Sequence, residues 1–378
     1  MTEKAVKPEI RFAGFNDAWE QRKLGELCSI TTGKLDANAM VSDGRYDFYT
    51  SGIDVFKIDK AAFEGPAITI AGNGASVGYM HLANGKFNAY QRTYVLTDFS
   101  ADRQFLNVAI GNKLPDKIQE EVRGSGIPYI VLNMLTDLVI PFPSQKEQAT
   151  IGAYFADLDN LITLHQRKYD KLTKVKKSML EKMFPKNGAN VPEIRFKGFS
   201  DAWEQRKFEE IAVRSSVICS DANLPRVEYE DIVSGAGRLN KDIYAKQSSK
   251  SGIAFHRGDV LYGKLRPYLQ NWLLPTFDGL AVGDFWVLQP QNADSSFLYR
   301  LIQSRQFDEV ANQSTGTKMP RADWKLVSKT VFSIPSNISE QAAIGTYFTA
   351  LDNLITLHQR ELEKLKNIKK ACLEKMFV

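Results

Sequence analysis

Two segments of this chain each occur twice, in the same order, with dissimilar sequence between the copies. Residues 8–27 recur as residues 192–211 with 15 of 20 positions identical, and residues 147–184 recur as residues 340–377 with 26 of 38 identical. So long a repeat excludes a solenoid, whose units of about 20–50 residues stack to share one core. The chain is therefore predicted to consist of two halves that share a frame and contain different inserts.

The composition is that of a globular protein with several domains. The 378 residues, 43% hydrophobic and 25% charged, predict two or three domains that each have a core. No run of 18 apolar residues and no signal peptide occur, so we expect a cytoplasmic protein. Because Cys28, Cys219 and Cys372 lack a C-x-x-C spacing and the four histidines form no ligand pattern, we expect reduced thiols and no structural metal.

The net charge of +5 permits a polyanionic partner without requiring one. Lysines are concentrated near the end of the first long repeat, at Lys168, Lys171, Lys174, Lys176, Lys177 and Lys182. A solvated helix face would also explain this cluster.

The segments 147–184 and 340–377 each predict one long helix, because neither contains a proline and their glycines lie only near the start. Their apolar residues alternate at steps of four and three, which is typical of a coiled-coil seam. The seam positions are Leu158, Ile162, His165, Tyr169, Leu172, Lys176, Met179 and Met183, and Leu351, Ile355, His358, Leu362, Leu365, Lys369, Cys372 and Met376. We predict that the two helices pair with each other in antiparallel orientation. His165 and His358 are interpreted as polar seam residues that fix register, and a paired functional site is the alternative.

Two further features recur in the shared frame. The Glu-Gln pairs at 147–148 and 340–341 follow Pro-Ser and indicate helix N-termini, where acidic residues suit the helix dipole. Trp19 and Trp203 occupy equivalent positions, and the sequence leaves open whether they dock a partner helix or belong to local cores.

Both inserts contain short β-like runs separated by Gly and Asn, with helix-like stretches around 102–122 and 294–312, so each half is predicted to be α+β. Their loops contain the side chains that recognise base edges, namely Arg and Lys for guanine and Asn and Gln for adenine, among aromatic residues. The DNA-binding candidates of the first insert are Asn73, Ser76, Tyr79, His81, Gln91, Arg92, Arg123, Ser125 and Tyr129. Those of the second insert are Lys264, Arg266, Tyr268, Gln270, Asn271, Thr317, Lys318 and Arg321.

The repeated GFxDAWEQRK frame, the GDVLYGKLRPYL run at 258–269 and the two EQxxIGxYFxxLDNLITLHQR segments closely resemble the DNA sequence-specificity subunit of Type I restriction–modification systems. The resemblance covers nearly the whole chain. It implies an α+β fold with two globular target-recognition domains, separated by a pair of long antiparallel coiled-coil helices and related by a pseudo-twofold internal repeat. The implied boundaries are 1–145 and 191–338 for the target-recognition domains and 146–190 and 339–378 for the spacer helices.

The resemblance also implies a function. Each target-recognition domain would recognise one half of an asymmetric, bipartite site in double-stranded DNA, and the helices would set the gap between the halves. The helices would also dock two methylation subunits, and restriction subunits would join through the assembled complex.

We expect this chain to be non-catalytic and to bind no cofactor itself. It contains no G-x-x-x-x-G-K-[S/T] loop and no N-P-P-Y or D-P-P-Y tetrapeptide, so ATP-driven translocation and methyl transfer from S-adenosylmethionine are expected in partner subunits. One alternative is a pair of nuclease lobes that use Asp116, Glu120 and Glu121, or Asp278 and Asp284. Another is a structural adaptor whose inserts bind protein.

Overall fold

The chain divides into two units in a computed structural model that describes residues 7–121, 127–186, 188–245, 248–313 and 319–377. Unit 1 comprises residues 1–165 and 361–378, and unit 2 comprises residues 166–360. Each unit therefore contains one insert together with a stretch of both long helices.

Unit 1 is α+β, as predicted. Its strands are β1 (Glu20–Lys23), β2 (Ser29–Thr32), β3 (Tyr46–Tyr49), β4 (Val55–Ile58), β5 (Phe63–Glu64), β6 (Ala67–Ala71), β7 (Met80–Ala83), β8 (Lys86–Ala89), β9 (Thr93–Thr97) and β10 (Val139–Phe142). Its helices are α1 (Leu24–Leu27), α2 (Arg103–Glu121), α3 (Leu132–Thr136) and the first part of α4 (Gln145–Lys182). The two larger sheets have the orders β2-β9-β6-β7 and β4-β3-β8-β5. Strand β6 is buried along its whole length, which explains its uninterrupted apolar and small residues.

Unit 2 is also α+β. Its strands are β11 (Glu204–Lys207), β12 (Ala212–Ser215), β13 (Ile218–Cys219), β14 (Arg226–Val227), β15 (Ile232–Val233), β16 (Arg238–Leu239), β17 (Gly252–Phe255), β18 (Val260–Gly263), β19 (Trp272–Leu273), β20 (Gly279–Ala281), β21 (Phe285–Pro290) and β22 (Val331–Ile334). Its helices are α5 (Phe208–Ile211), α6 (Ser295–Leu301), α7 (Arg305–Ala311), α8 (Trp324–Lys329) and the first part of α9 (Ile338–Met376). The sheet β12-β21-β18-β19 repeats the first sheet of unit 1 strand for strand. The other sheet, β13-β17-β20-β14, differs from its counterpart at its edges.

A buried carboxylate joins the N-terminal frame of unit 1 to the start of α4. Glu147, which is fully buried, accepts two hydrogen bonds from the Arg11 guanidinium at 2.7 and 2.8 Å and one from Trp19 Nε1 at 3.2 Å. The same contacts recur in unit 2 among Arg195, Trp203 and Glu340. Both tryptophans therefore belong to local cores, and the glutamates at these helix starts bind Arg and Trp side chains.

The glutamine that follows each buried glutamate links α4 to the insert. Gln148 Nε2 donates to the Pro143 carbonyl at 2.8 Å, and its Oε1 accepts the Asp102 backbone N–H at 3.0 Å. The Asp102 carboxylate in turn accepts the Phe105 N–H at 2.8 Å, which satisfies a donor at the first turn of α2. The same pattern recurs in unit 2 among Gln341, Pro335 and Asp294.

The last residues of each long repeat complete a core. In unit 1, the Phe377 ring packs against Trp19, Phe105 and Phe155, with centroid distances of 6.0, 5.9 and 6.1 Å. In unit 2, the corresponding Phe184 packs against Trp203 and Phe297 at 6.2 and 5.7 Å. Unit 1 is thus completed by the residue that follows α9, and unit 2 by the residues that follow α4.

The two long helices pair in antiparallel orientation, as predicted. In unit 1, Tyr154 contacts Cys372 at 3.6 Å, and Asp159, one turn further along α4, binds Lys369, which precedes Cys372 on α9. In unit 2, Lys176 binds Asp352 at 2.6 Å. The two lysines that interrupt the apolar seam are therefore each paired with an aspartate of the other helix.

No helix in the parts of the chain that the structure describes is long and apolar enough to cross a membrane. Within those same ranges, no group of three or more His, Cys, Asp or Glu side chains is arranged to hold a metal ion.

Candidate nucleic-acid interface

The described DNA-binding candidates of unit 1 lie around the turn between β6 and β7, residues 72–79, here called turn 1. The Gly72 N–H donates to the Arg92 carbonyl at 2.9 Å, and the Gly72 carbonyl accepts the Ile130 N–H at 2.7 Å. The Gly74 N–H donates to the Pro128 carbonyl at 3.2 Å. These backbone hydrogen bonds bring three segments together that are distant in sequence.

The turn between β18 and β19, residues 264–271 and here called turn 2, has the same backbone frame in unit 2. The Lys264 N–H donates to the Asp284 carbonyl at 2.9 Å, and the Lys264 carbonyl accepts the Ala322 N–H at 2.8 Å. The Arg266 backbone N–H donates to the Pro320 carbonyl at 2.7 Å. Every equivalent position in the two frames differs by 192 in residue number. The frames therefore match residue for residue although their side chains differ.

Each frame presents one pair of bridged residues. Asn73 and Tyr129 form an isolated β-bridge in unit 1, and Leu265 and Arg321 form the equivalent bridge in unit 2. Three of these four residues are among the predicted DNA-binding residues. The structure thus brings together candidates that lie 56 positions apart in the chain.

An aromatic cluster adjoins turn 1. The His81 ring lies 4.9 Å from the Tyr79 ring and 5.2 Å from the Tyr49 ring. Burial lowers the pKa of His81, and a hydrogen bond with the Gly52 backbone partly opposes that shift, so the imidazole is neutral at pH 7. Tyr79 and Tyr129 are exposed, which makes their rings available for stacking against bases.

The other candidates of unit 1 differ in their surroundings. Ser51 Oγ donates to Asn73 Oδ1 at 2.6 Å, so the groups that Asn73 can still offer are its amide N–H donors. Gln91 and Arg92 are exposed at the junction of β8 and β9. The Ser76 carbonyl accepts the Tyr79 N–H at 3.0 Å and so shapes turn 1.

An aspartate lies between two of the predicted cations of unit 2. The Asp284 carboxylate is 3.5 Å from Lys264 Nζ and 3.1 Å from Arg321 Nη2. All three side chains are partly exposed. Asp284 therefore orients both cations and would compete with a DNA phosphate for them.

The remaining described candidates of unit 2 lie in turn 2 itself. Tyr268 is 55% exposed, whereas Arg266 and Gln270 are partly buried. Asn271 is buried, and its Oδ1 accepts the Ser234 hydroxyl at 3.0 Å. Asn271 therefore has a structural partner already, and contact between it and DNA stays a prediction.

Four candidates lie outside the described residues. They are Arg123, Ser125, Thr317 and Lys318.

Three of the five acids named for the nuclease alternative, Asp284, Asp278 and Glu120, have structural partners. Asp284 binds the two cations described above, and the Asp278 carboxylate accepts the Arg257 N–H at 2.7 Å. On α2, Glu120 lies 3.6 Å from Lys117.

Two tyrosines that support the turns were not predicted. Tyr49 packs on His81, and the Tyr229 hydroxyl donates to the Asp284 carbonyl and accepts the Leu265 N–H at 3.1 Å. Both come from the second sheet of their unit or the loop beside it. Because they are far from the turns in sequence, no local spacing could have indicated them.

Comparison with known proteins identifies one family. The model of the Type I restriction modification DNA specificity domain matches twice, over residues 16–174 and 219–367. The Type I restriction enzyme EcoDI specificity subunit of Escherichia coli is 28% identical over 394 residues, which cover 95% of this chain and 88% of that protein. The crystal structure of a Type I restriction–modification S subunit from M. genitalium has the same fold, with a TM-score of 0.71, 17% identity and 99% coverage of both chains.

Proposed function

The chain belongs to the family of Type I restriction–modification DNA specificity subunits, and we propose that its two units recognise the two halves of an asymmetric, bipartite target in double-stranded DNA. The observation that supports this proposal is the shared backbone frame. Equivalent positions present Asn73 in one unit and Leu265 in the other, and likewise Tyr129 and Arg321. One frame with two sets of side chains suits two different half-sites.

The proposed DNA contacts are the candidate residues around turn 1 and turn 2. Different residue types would make different contacts with DNA. Exposed aromatic rings can stack on bases, cations can bind phosphates, and amides and guanidinium groups can bind base edges. The proposed target-recognition domains keep the boundaries 1–145 and 191–338, with spacer helices at 146–190 and 339–378.

We propose that the paired helices set the length of the unrecognised gap. An antiparallel pair held by Lys–Asp bridges and apolar seam contacts resists bending, and a fixed protein spacing becomes a fixed number of base pairs. Inserting one helical turn into both helices should therefore lengthen the gap.

We also propose that two methylation subunits dock on this chain, with restriction subunits joining through the assembled complex. Leu161 and Leu164 in unit 1, and Leu354 and Leu357 in unit 2, are exposed at equivalent helix positions. Two matching apolar surfaces suit two identical partners. The methyl transfer and ATP-driven steps would then occur in those partners, in the cytoplasm, and this chain would be non-catalytic.

Paired substitutions test this stoichiometry. Leu161→Glu with Leu164→Glu should cost the complex one methylation subunit, and Leu354→Glu with Leu357→Glu should cost the other, as measured by native mass spectrometry. Two bound subunits in both variants would contradict the assignment of these leucines.

The main experiment is to co-express the chain with its methylation subunits in a host that lacks adenine methylation, and to map methylated adenines across the genome. We expect one split motif with a constant gap. An unmethylated genome, despite a complex that assembles and binds S-adenosylmethionine, would instead support the adaptor alternative.

A further inference from the structure

Turn 2 holds two residues in a backbone conformation that their types rarely adopt. Among the described residues, the non-glycine residues with positive φ are Asp98, Asn292, Arg266 and Gln270. Asp and Asn tolerate this left-handed region because their short side chains hydrogen-bond locally, whereas Arg and Gln have no such advantage. Arg266 has φ of 50° and Gln270 has φ of 56°, and they lie directly before and after the short 3-10 helix Pro267–Leu269.

Turn 1 has glycine at both equivalent positions. Gly74 and Gly78 have φ of 85° and 83°, and they correspond to Arg266 and Gln270 by the constant offset of 192. Gly74 and Arg266 also make the same backbone hydrogen bond, to Pro128 and Pro320. The same turn is thus built with the favourable residue in one unit and with unfavourable residues in the other.

The backbone of turn 2 does not require these two side chains. Its hydrogen bonds run from Arg266 N–H to the Pro320 carbonyl, from Leu269 N–H to the Arg266 carbonyl, and from Gly235 N–H to the Gln270 carbonyl, at 2.7, 2.8 and 3.0 Å. Glycine at 266 and 270 would keep all three. The side chain of Arg266 adds a second cost, because its Nε is enclosed and has no hydrogen-bond partner in the part of the chain that the structure describes.

We propose that Arg266 and Gln270 are specificity-determining residues of unit 2, present at these strained positions because their side chains bind bases. This inference rests on the proposed function, in which unit 2 recognises one half-site. The Arg266 fork matches the O6 and N7 acceptors of guanine, and the Gln270 amide matches N6 and N7 of adenine. In unit 1 the same two positions contribute backbone only.

The test uses glycine substitutions in the chain co-expressed with its methylation subunits. Arg266→Gly should relax one fixed guanine in one half of the motif, and Gln270→Gly should relax one fixed adenine, each with discrimination reduced by about 5–150-fold. Neither should lower the melting temperature of the complex, because glycine relieves the left-handed backbone. Asn292→Gly is the matched control, since it relieves the same conformation at an exposed site beyond β21 and should leave the motif unchanged.

Arg266→Lys separates recognition from charge and strain. Lysine keeps the positive charge and the strained backbone but lacks the planar fork, so it should relax the same guanine position, though less than Arg266→Gly does. An unchanged motif in Arg266→Gly, or a melting temperature well below that of Asn292→Gly, would overturn the inference while the split motif of the wild type still supports the proposed function. A wild type without a split motif would overturn both.

Discussion

At the scale of single residues, the most constrained side chains are the two buried glutamates. Each binds an arginine from the N-terminal frame and the indole N–H of a tryptophan, and the Glu147 hydrogen bond raises the pKa of the Arg11 guanidinium. A buried ion pair of this kind adds little compared with an apolar contact, but removing one partner leaves the other charge buried and unpaired.

Glu147→Gln should therefore lower the free energy of unfolding by about 3 kcal/mol, because the Arg11 guanidinium loses the buried carboxylate that accepts two of its hydrogen bonds. Glu340→Gln should have a similar effect through Arg195. Chemical denaturation of the full chain measures both. Glu20→Gln is the control, since the exposed Glu20–Arg22 pair should contribute little, and equal losses in all three variants would contradict the role of burial.

His81 gives the protein a pH dependence of known sign. Because burial lowers the His81 pKa in the folded state, the unfolded state takes up a proton first as the pH falls through about 6.5, and the free energy of unfolding decreases. Between about pH 7.5 and 5.5 the melting temperature of the wild type should fall more than that of His81→Gln. Equal falls in the two proteins would show that His81 does not titrate on unfolding.

The residue types at the turns could be predicted from the sequence, but their grouping could not. Arg, Asn, Gln and Tyr in loops indicate base recognition by their chemistry. The bridge between Asn73 and Tyr129, the ion pairs of Asp284 and the left-handed backbone of Arg266 depend on long-range pairing. No local pattern signals such contacts.

At the scale of elements, the long helices were the most predictable part of the fold. The lack of breakers and the four-three spacing indicated both helices and their pairing, which depend on local periodicity. The role of the two seam lysines could not be predicted, because it depends on the other helix: Lys369 binds Asp159, and Lys176 binds Asp352. The two bridges are equivalent under the repeat, but Arg300, which is buried, also binds Asp352 at 2.7 Å, while Val108 occupies the corresponding position of α2.

Exchanging the two charges of a bridge should have a different effect on stability in unit 1 than in unit 2. In unit 1, Asp159→Lys alone should be destabilising by about 0.5–1 kcal/mol, and adding Lys369→Asp should restore stability, because that bridge is isolated and partly exposed. In unit 2, Asp352→Lys with Lys176→Asp should not restore stability, because Arg300 then faces a lysine. Thermal unfolding of the single and double variants measures the coupling, and full rescue in unit 2 would contradict the role given to Arg300.

At the scale of the whole molecule, residues 9–10 and residue 375 lie close together in unit 1. The N–H groups of Glu9 and Ile10 donate to the Lys375 carbonyl at 2.9 and 3.2 Å. In unit 2 the equivalent bond runs from Ile194 N–H to the Lys182 carbonyl at 3.0 Å, and residues 183–193 connect the two. The covalent connection of unit 2 thus has a non-covalent counterpart in unit 1.

A circular permutant should therefore fold. Joining residue 378 to residue 1 gives a connection of nearly the same length as 183–193, and opening the chain near residue 187 moves the break to the equivalent place in unit 2. The permutant should keep the motif of the parent in the methylation map, with a similar melting temperature. A parent-like motif is not expected from a control opened within β6, because that break interrupts a buried strand.

The packing of Phe377 in unit 1 also affects the order in which the two units can fold during synthesis. Phe377 packs on Trp19, so the core of unit 1 is incomplete until residue 377 has left the ribosome. Unit 2 consists of one continuous stretch, residues 166–360, and has all its residues earlier. The half that is synthesised first is thus the half that finishes folding last, contrary to the usual order for proteins with several domains.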